Sequence, residues 1–180
     1  MSSTNSPYAA PNSDLSPDTY GEEGVYELPR FSAWGVFFLT LVSFGLYYYY
    51  WMYKRTVVIN SVCDDKISMH IPYIVIFYGI VSFIYGLYQN YTIHTGSYMP
   101  QFLLVEAFIH IIFLILAVFW LYTIRNRLNY IFQANKTDKF WISGILTFFG
   151  TIIYLQYKMN KVIDHQTHSL NQEFNELNVS

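Results

Sequence analysis

Residues 44–55 read FGLYYYYWMYKR and end an apolar run that begins at residue 31. Tyrosine and tryptophan followed by two cations are typical of a transmembrane helix at the point where it reaches the lipid–water interface. Residues 31–53 extend about 35 Å when helical, and the hydrocarbon core of a bilayer is about 30 Å thick. The stretch therefore predicts a membrane-crossing helix.

The composition supports a membrane protein. Of the 180 residues, 53% are hydrophobic and 12% are charged, whereas soluble domains contain about 25% charged residues. The net charge of −2 provides no basic surface for nucleic acid, so we expect no nucleic-acid partner. A single cysteine, Cys63, allows no internal disulfide, and no catalytic or ligand-binding motif is legible. We therefore predict no catalytic, cofactor-binding or metal site.

The apolar segments predict an all-α integral membrane protein with four transmembrane helices. The predicted spans are about residues 31–53, 71–89, 101–122 and 140–157, within a membrane domain of residues 31–164.

Two tails flank this domain. Residues 1–30 are rich in Ser, Pro, Asn and acidic residues, and we predict that they are disordered because they cannot bury enough apolar surface. Residues 165–180 form the C-terminal tail. Within it Leu170, Phe174 and Leu177 recur at helical spacing, which predicts a short amphipathic helix.

The cations leave two arrangements open. With four spans, the loops after the first and third spans carry seven of the ten Lys and Arg residues, and the positive-inside rule places both tails outside. In the alternative, the first and last segments are re-entrant hairpins that turn near Gly45 and Gly150, so two segments span and all ten cations are cytoplasmic. Four spans are our first expectation, because the aromatic residues after Gly45 prefer the interface to the bilayer centre.

An internal repeat links the first and last segments. Five of thirteen positions are identical between residues 48–60 (YYYWMYKRTVVIN) and residues 152–164 (IIYLQYKMNKVID). With four spans the two copies cross in opposite directions, as the inverted repeats of transporters do. We prefer a simpler explanation, in which both segments carry interfacial anchors, with tyrosine in the aromatic belt and lysine at the headgroups. The predicted anchors are Tyr47, Tyr50, Trp51, Tyr53, Lys54, Tyr154, Tyr157 and Lys158.

The first segment also resembles a known family. In the membrane proteins of domain-of-unknown-function family 4234, a Gly-x-Tyr-x-x-Tyr-Trp pattern closes the first hydrophobic helix, and the match here falls on Gly45, Tyr47, Tyr50 and Trp51. Other similar pieces are RNRLN at residues 125–129, IYLQYKMN at 153–160 and PYAAP at 7–11. The resemblance covers most of residues 31–164 and implies a small multi-pass protein of the bacterial inner membrane. It implies no activity.

Glu106 and His110 are the candidate intramembrane polar pair. They lie four residues apart in the third segment, and hence on one helix face. An ionisable group at this depth costs about 2.5–3.5 kcal/mol on insertion scales, which makes it a functional hypothesis. One interpretation is a proton or cation relay between carboxylate and imidazole. The other, which we favour, is a hydrogen-bonded pair that fixes helix packing.

These observations predict a membrane protein with a structural, interaction or envelope-associated role and no enzymatic activity. The alternative is a small transporter or ion-coupled subunit that uses Glu106 and His110. The expected partner is the lipid bilayer, with other membrane proteins or a second copy of the chain as further candidates.

Overall fold

The computed structural model describes residues 25–97 and 103–179. In this part of the chain every regular element is helical, which confirms the all-α prediction. The helices are α1 (Ala33–Val42), α2 (Leu46–Val62), α3 (His70–His94), α4 (Leu103–Ile131) and α5 (Gly144–Val179). Two of them, α3 and α4, are long and apolar enough to cross a membrane.

A tight turn separates α1 from α2. Phe44 and Gly45 have φ angles of 50° and 88°, the left-handed conformation that commonly ends a helix. The Gly45 N–H donates to the Thr40 carbonyl at 2.8 Å, and the Ser43 hydroxyl accepts the Tyr47 N–H at 2.8 Å. The turn thus satisfies backbone groups of both helices. Gly45 adopts the positive φ without the steric cost that a side chain would add.

The chain reverses direction at this turn. The rings of Phe31, which precedes α1, and Tyr47, in the first turn of α2, lie 6.4 Å apart. In one straight helix these two residues would be separated by about 24 Å. α1 and α2 therefore form a helical hairpin, which we call the N-terminal hairpin (residues 31–62).

A second break interrupts α5. Thr151 has φ 46° and ψ −137°, a strained conformation for a β-branched residue. The Ser143 N–H donates to the Tyr154 hydroxyl at 3.3 Å, and the Lys158 ammonium donates to the Lys139 carbonyl at 2.9 Å. Residues on the two sides of the break thus lie side by side. We call this unit the C-terminal hairpin, with a first arm (residues 144–150) and a second arm (residues 152–179).

The two breaks correct the prediction of uninterrupted helices over residues 31–53 and 140–157. Four continuous spans are not confirmed, because the first segment folds back at Phe44 and Gly45 and the last at Thr151, next to Gly150. Residues 71–89 lie within α3 as predicted. The described part of the segment 101–122 is helical within α4, which continues past it to Ile131.

The long helices run antiparallel. Tyr78 of α3 stacks on Phe113 of α4, with ring centroids 3.5 Å apart. α2 also runs antiparallel to α3, since Tyr53 lies 6.2 Å from Tyr73 while Leu46 shares a groove with Ile80. The end of the bundle where α2 and α4 finish and α3 begins carries the loops and is called the polar end below.

The buried core is concentrated between the polar end and the hairpin turns. Its fully buried large side chains include Trp51, Met52, Ile59, Trp120, Ile124, Leu128, Ile142, Ile152, Leu155 and Met159. Val25 and Leu28 are also buried, although the sequence placed them in the disordered tail. The rest of that predicted tail, residues 1–24, lies outside the described residues.

The internal repeat has a structural counterpart. Its first copy buries Trp51, Met52, Arg55 and Ile59, and its second buries the aligned residues Leu155, Gln156, Met159 and Ile163. Both copies follow a break and run towards the polar end, so they are parallel. The opposite directions expected from four spans are not found, because each segment reverses before its repeat copy begins.

Candidate functional site

The Glu106 carboxylate is held by two donors on α3. The Tyr85 hydroxyl donates to Oε1 and the Gln89 amide donates to Oε2, both at 2.8 Å. Both carboxylate oxygens therefore have a hydrogen-bond partner on the neighbouring helix. The site links the ends of α3 and α4 that lie farthest from the polar end.

The His110 ring makes a different contact. Its Nδ1 lies 2.8 Å from the backbone carbonyl of Glu106, and because a carbonyl only accepts, Nδ1 carries the hydrogen. The ring meets Tyr78 edge-on at 5.6 Å. The structure therefore places both predicted residues on one face of α4 but does not pair their side chains. The carboxylate and the imidazole bond to different groups, so this arrangement gives a proton no direct path between them.

His110 borders a groove of about 380 Å³ between α2, α3 and α4. The groove is lined mainly by aromatic and aliphatic side chains, including Tyr48, Tyr49, Tyr78 and Phe113. Such a lining suits packing or an apolar chain better than the movement of ions.

A buried polar cluster that the sequence analysis missed joins the two hairpins. The Gln156 side-chain carbonyl accepts hydrogen bonds from Trp51 Nε1 at 3.1 Å and from the Arg55 guanidinium at 2.7 Å. Its amide donates to Asn160 at 3.0 Å and to the Pro29 carbonyl at 3.5 Å. Gln156 thus ties the second arm to α2 and to the chain before α1. We call these residues the Gln156 cluster.

Arg55 is the unusual member of this cluster, because its side chain is almost completely buried, with 6% exposed. Its guanidinium lies over the Trp51 ring at 5.4 Å, and its Nε has no hydrogen-bond partner in the described part of the chain. Among the same residues no carboxylate forms an ion pair with it. A buried cation is destabilising unless nearby groups replace the water it has lost. Gln156 supplies such a group, because its oxygen accepts from the Arg55 guanidinium.

A second buried contact connects α4 to the N-terminal hairpin. Trp120 Nε1 donates to the Thr56 hydroxyl at 3.0 Å, and that hydroxyl donates to the Met52 carbonyl at 2.8 Å. The Trp120 ring also meets Trp51 edge-on at 6.2 Å. Buried tryptophan needs such a partner for its N–H. In the sequence, Trp51 and Arg55 are four residues apart, as are Met52 and Thr56, which places each pair on one helix face.

The eight predicted interfacial anchors differ in how far they are exposed. Tyr50, Tyr53 and Tyr157 are exposed, at 55%, 38% and 52%, as a residue in contact with lipid or water should be. Trp51 is instead buried, with 2% exposed, and belongs to the Gln156 cluster. The other members are Tyr47 and Tyr154, which pack against the core, Lys54, whose Nζ lies 6.0 Å from the Tyr50 ring centroid, and Lys158, which bonds Lys139.

A wide cleft lies at the polar end, where α1 meets the second arm. Its volume is about 840 Å³, and it is lined by Arg30, Trp34, Tyr157, Lys161, Asp164 and neighbouring residues. Arg30 Nε and Asp164 Oδ1 form an ion pair at 2.9 Å. This cleft mixes both charges with exposed aromatic rings.

The fold and these clusters define an all-helical protein in which two helices have the length and hydropathy of membrane spans. Residues 31–130 match the family described as Domain of unknown function (DUF4234). This match covers more than half of the chain, so the protein belongs to that family, which confirms the resemblance seen in the sequence. The match ends before the C-terminal hairpin. No curated protein and no solved structure matches.

Proposed function

We propose that this is a structural or interaction protein of the bacterial inner membrane, without enzymatic activity, in which α3 and α4 span and both hairpins are re-entrant from the cytoplasmic side. The observation that carries the proposal is that all ten Lys and Arg residues lie towards one end of the bundle. They are Arg30, Lys54, Arg55, Lys66, Arg125, Arg127, Lys136, Lys139, Lys158 and Lys161.

Three contacts connect these cations across the chain. Arg30 pairs with Asp164, Arg127 pairs with Asp65, and Lys158 bonds the Lys139 carbonyl. These contacts bring both tails of the membrane domain and both cation-rich loops to the polar end. With two spans, the positive-inside rule then applies to all ten cations instead of seven.

Hydrogen bonds at the first turn support a re-entrant hairpin, because they leave fewer backbone groups without a partner at membrane depth. Non-helical backbone at membrane depth is tolerated where its polar groups are satisfied inside the protein. At this turn Gly45 bonds Thr40, and Ser43 caps Tyr47. The Thr40 hydroxyl in turn donates to the Val36 carbonyl at 2.7 Å.

Cysteine accessibility in intact cells tests the topology. Single cysteines are introduced as Asp64→Cys, Ser97→Cys and Ser169→Cys in a Cys63→Ser background, at three positions that are exposed in the structure. A membrane-impermeant maleimide added outside the cytoplasmic membrane should label Ser97→Cys alone. The other two should react after the membrane is permeabilised.

The four-span arrangement predicts a different pattern. Ser97→Cys and Ser169→Cys would then both react from outside, while Asp64→Cys would stay protected. That pattern would refute the re-entrant hairpins. The permeabilised sample is the control that each cysteine is reactive in the folded protein.

The non-catalytic role is supported by where the polar side chains are used. Gln156 joins the two hairpins, and the Trp120–Thr56 bond joins α4 to the N-terminal one. Asn129 exchanges two hydrogen bonds with the Ile142 backbone, at 2.8 and 3.3 Å, and so fixes the loop before α5. These buried groups stabilise the assembly of helices and leave no convergent set of reactive groups among them.

A second candidate, a small ion-coupled transporter, is favoured by the Glu106 site, where two donors hold a carboxylate between the apolar helices α3 and α4. Glu106→Gln and His110→Ala, each introduced into a deletion strain, separate the two functions. A relay requires loss of complementation at normal protein levels. Full complementation by both variants would exclude the relay and leave the structural role.

A further inference from the structure

The two hairpins reach only part of the way along α3 and α4. At the turn of the N-terminal hairpin, Leu46 shares a groove with Ile80 of α3, which is ten residues from the start of that helix, or about 15 Å. The helix continues to His94. On the other side of the bundle, Tyr48 shares a groove with Ala117 of α4, whose described part begins at Leu103.

The second hairpin turns at the same depth as the first. Ile153, just after the break in α5, shares a cleft with Phe44 and Gly45 at the turn between α1 and α2. The two turns are therefore neighbours, and both face away from the polar end.

The bundle is consequently much wider at the polar end. The half near the polar end contains six helical segments, namely α1, α2, α3, α4 and the two arms of α5. In the other half, the described residues belong to α3 and α4 alone. Helix axes pack about 9 Å apart, so each segment occupies about 80 Å² of cross-section and the four additional segments add about 300 Å².

The narrow half has the surface expected of a helix pair surrounded by lipid. Large apolar side chains there are well exposed, including Ile84 (60%), Leu87 (60%), Leu104 (84%) and Phe108 (64%). Lipid acyl chains contact such a surface without a desolvation cost, because they are as apolar as the side chains.

We propose that the protein acts as a wedge that expands the cytoplasmic leaflet. It therefore concentrates in membrane whose cytoplasmic face is convex, and it promotes that curvature. This inference rests on the re-entrant topology proposed above and adds a partner to it, the lipid bilayer as a curved surface. A molecule that is wider in one leaflet fits best where that leaflet is stretched, and binding that expands one leaflet is sensitive to curvature.

Membrane tethers pulled from giant vesicles test the proposal. Full-length protein carrying Ser169→Cys or Ser97→Cys, each with Cys63→Ser, is reconstituted into vesicles of phosphatidylethanolamine and phosphatidylglycerol. An impermeant fluorescent maleimide is then added outside the vesicles. In the Ser169→Cys variant it labels the copies whose wide end faces outward. In the Ser97→Cys variant it labels the copies whose narrow end faces outward. The two variants are matched controls, since they differ only in which orientation is visible.

The wedge predicts opposite signs for the two orientations. Relative to a lipid dye, the density of Ser169→Cys protein in the tether should rise about twofold or more, and that of Ser97→Cys protein should fall by a similar factor. Equal densities in tether and vesicle for both variants would overturn the wedge and leave the topology intact. Changes of the same sign for both variants would mean that residues 97 and 169 lie on one side, and would overturn the topology together with the wedge.

Discussion

Replacing Gln156 with methionine should destabilise the protein by about 2–4 kcal/mol. The substitution keeps the length of the side chain and removes its amide, that is, the oxygen that accepts from Trp51 and Arg55 and the nitrogen that donates to Asn160 and Pro29. Loss of a buried neutral hydrogen bond costs about 1 kcal/mol, and loss of a bond to a charged group costs about 1.5–3 kcal/mol. Both losses fall on groups that are 2% and 6% exposed, so water cannot replace the missing acceptor.

The measurement is equilibrium unfolding of the purified protein in mixed micelles, followed by the far-ultraviolet circular dichroism of its helices. A double variant, Arg55→Met with Gln156→Met, identifies the cause. Because it also removes the buried cation, its loss of stability should be smaller than the sum of the two single losses by about 1 kcal/mol or more.

Gln166→Met is the matched control on the same helix. The Gln166 side-chain oxygen is buried without a hydrogen-bond partner in the described structure, so its removal breaks no hydrogen bond and should not lower stability by more than about 0.5 kcal/mol. A loss below that value for Gln156→Met would refute the argument that Gln156 holds the hairpins together. So would strict additivity of the Arg55 and Gln156 variants.

Three other predictions concern packing, backbone strain and thiol chemistry. A methyl group at Gly79 would overlap the Tyr49 ring, whereas one at Gly86 would meet nothing within 4 Å. In the same unfolding assay, Gly79→Ala should therefore lower the free energy of unfolding by about 1–3 kcal/mol, and the control Gly86→Ala should not lower it. Thr151→Gly should gain about 1 kcal/mol, because glycine relieves the positive φ; a loss of stability would contradict strain at this break. Burial raises the pKa of the Cys63 thiol, so the unreactive neutral thiol persists to higher pH than usual. Alkylation of Cys63 at neutral pH should therefore be at least about tenfold slower in the native protein than in the detergent-denatured protein. Equal rates would show that the thiol is not protected.

The hydrophobic periodicity and length of the segments predicted much of the architecture. α3 and α4 follow from long apolar runs, of which the first carries no charge and the second carries Glu106 alone before Arg125. Neither helix requires knowledge of its neighbours. The two turns were also visible as an alternative, since Gly45 and Gly150 lie near the middle of their segments. Four uninterrupted helices were expected because the tyrosines after Gly45 were all assigned to an interface, whereas several of them pack against other helices.

The candidate site shows a similar division. Glu106 and His110 could be placed on one helix face from their spacing alone. Their partners could not, because Tyr85 and Gln89 come from α3, and the rotation of α3 about its axis depends on packing. The Gln156 cluster was missed for the same reason, since Gln156 lies 101 to 127 positions from its partners Trp51, Arg55 and Pro29.

For this protein the sequence by itself determined the helical class, the two apolar helices, the family signature in residues 44–55 and the glycine at the turn. These properties depend on composition and on spacing within one segment, where the physical causes are local. Tertiary structure decided that the segment containing that signature folds back on itself, that Trp51 lies in the core, and that two distant hairpins share Gln156. These outcomes depend on which faces of different helices meet, and that choice minimises the free energy of the whole bundle rather than of any one stretch.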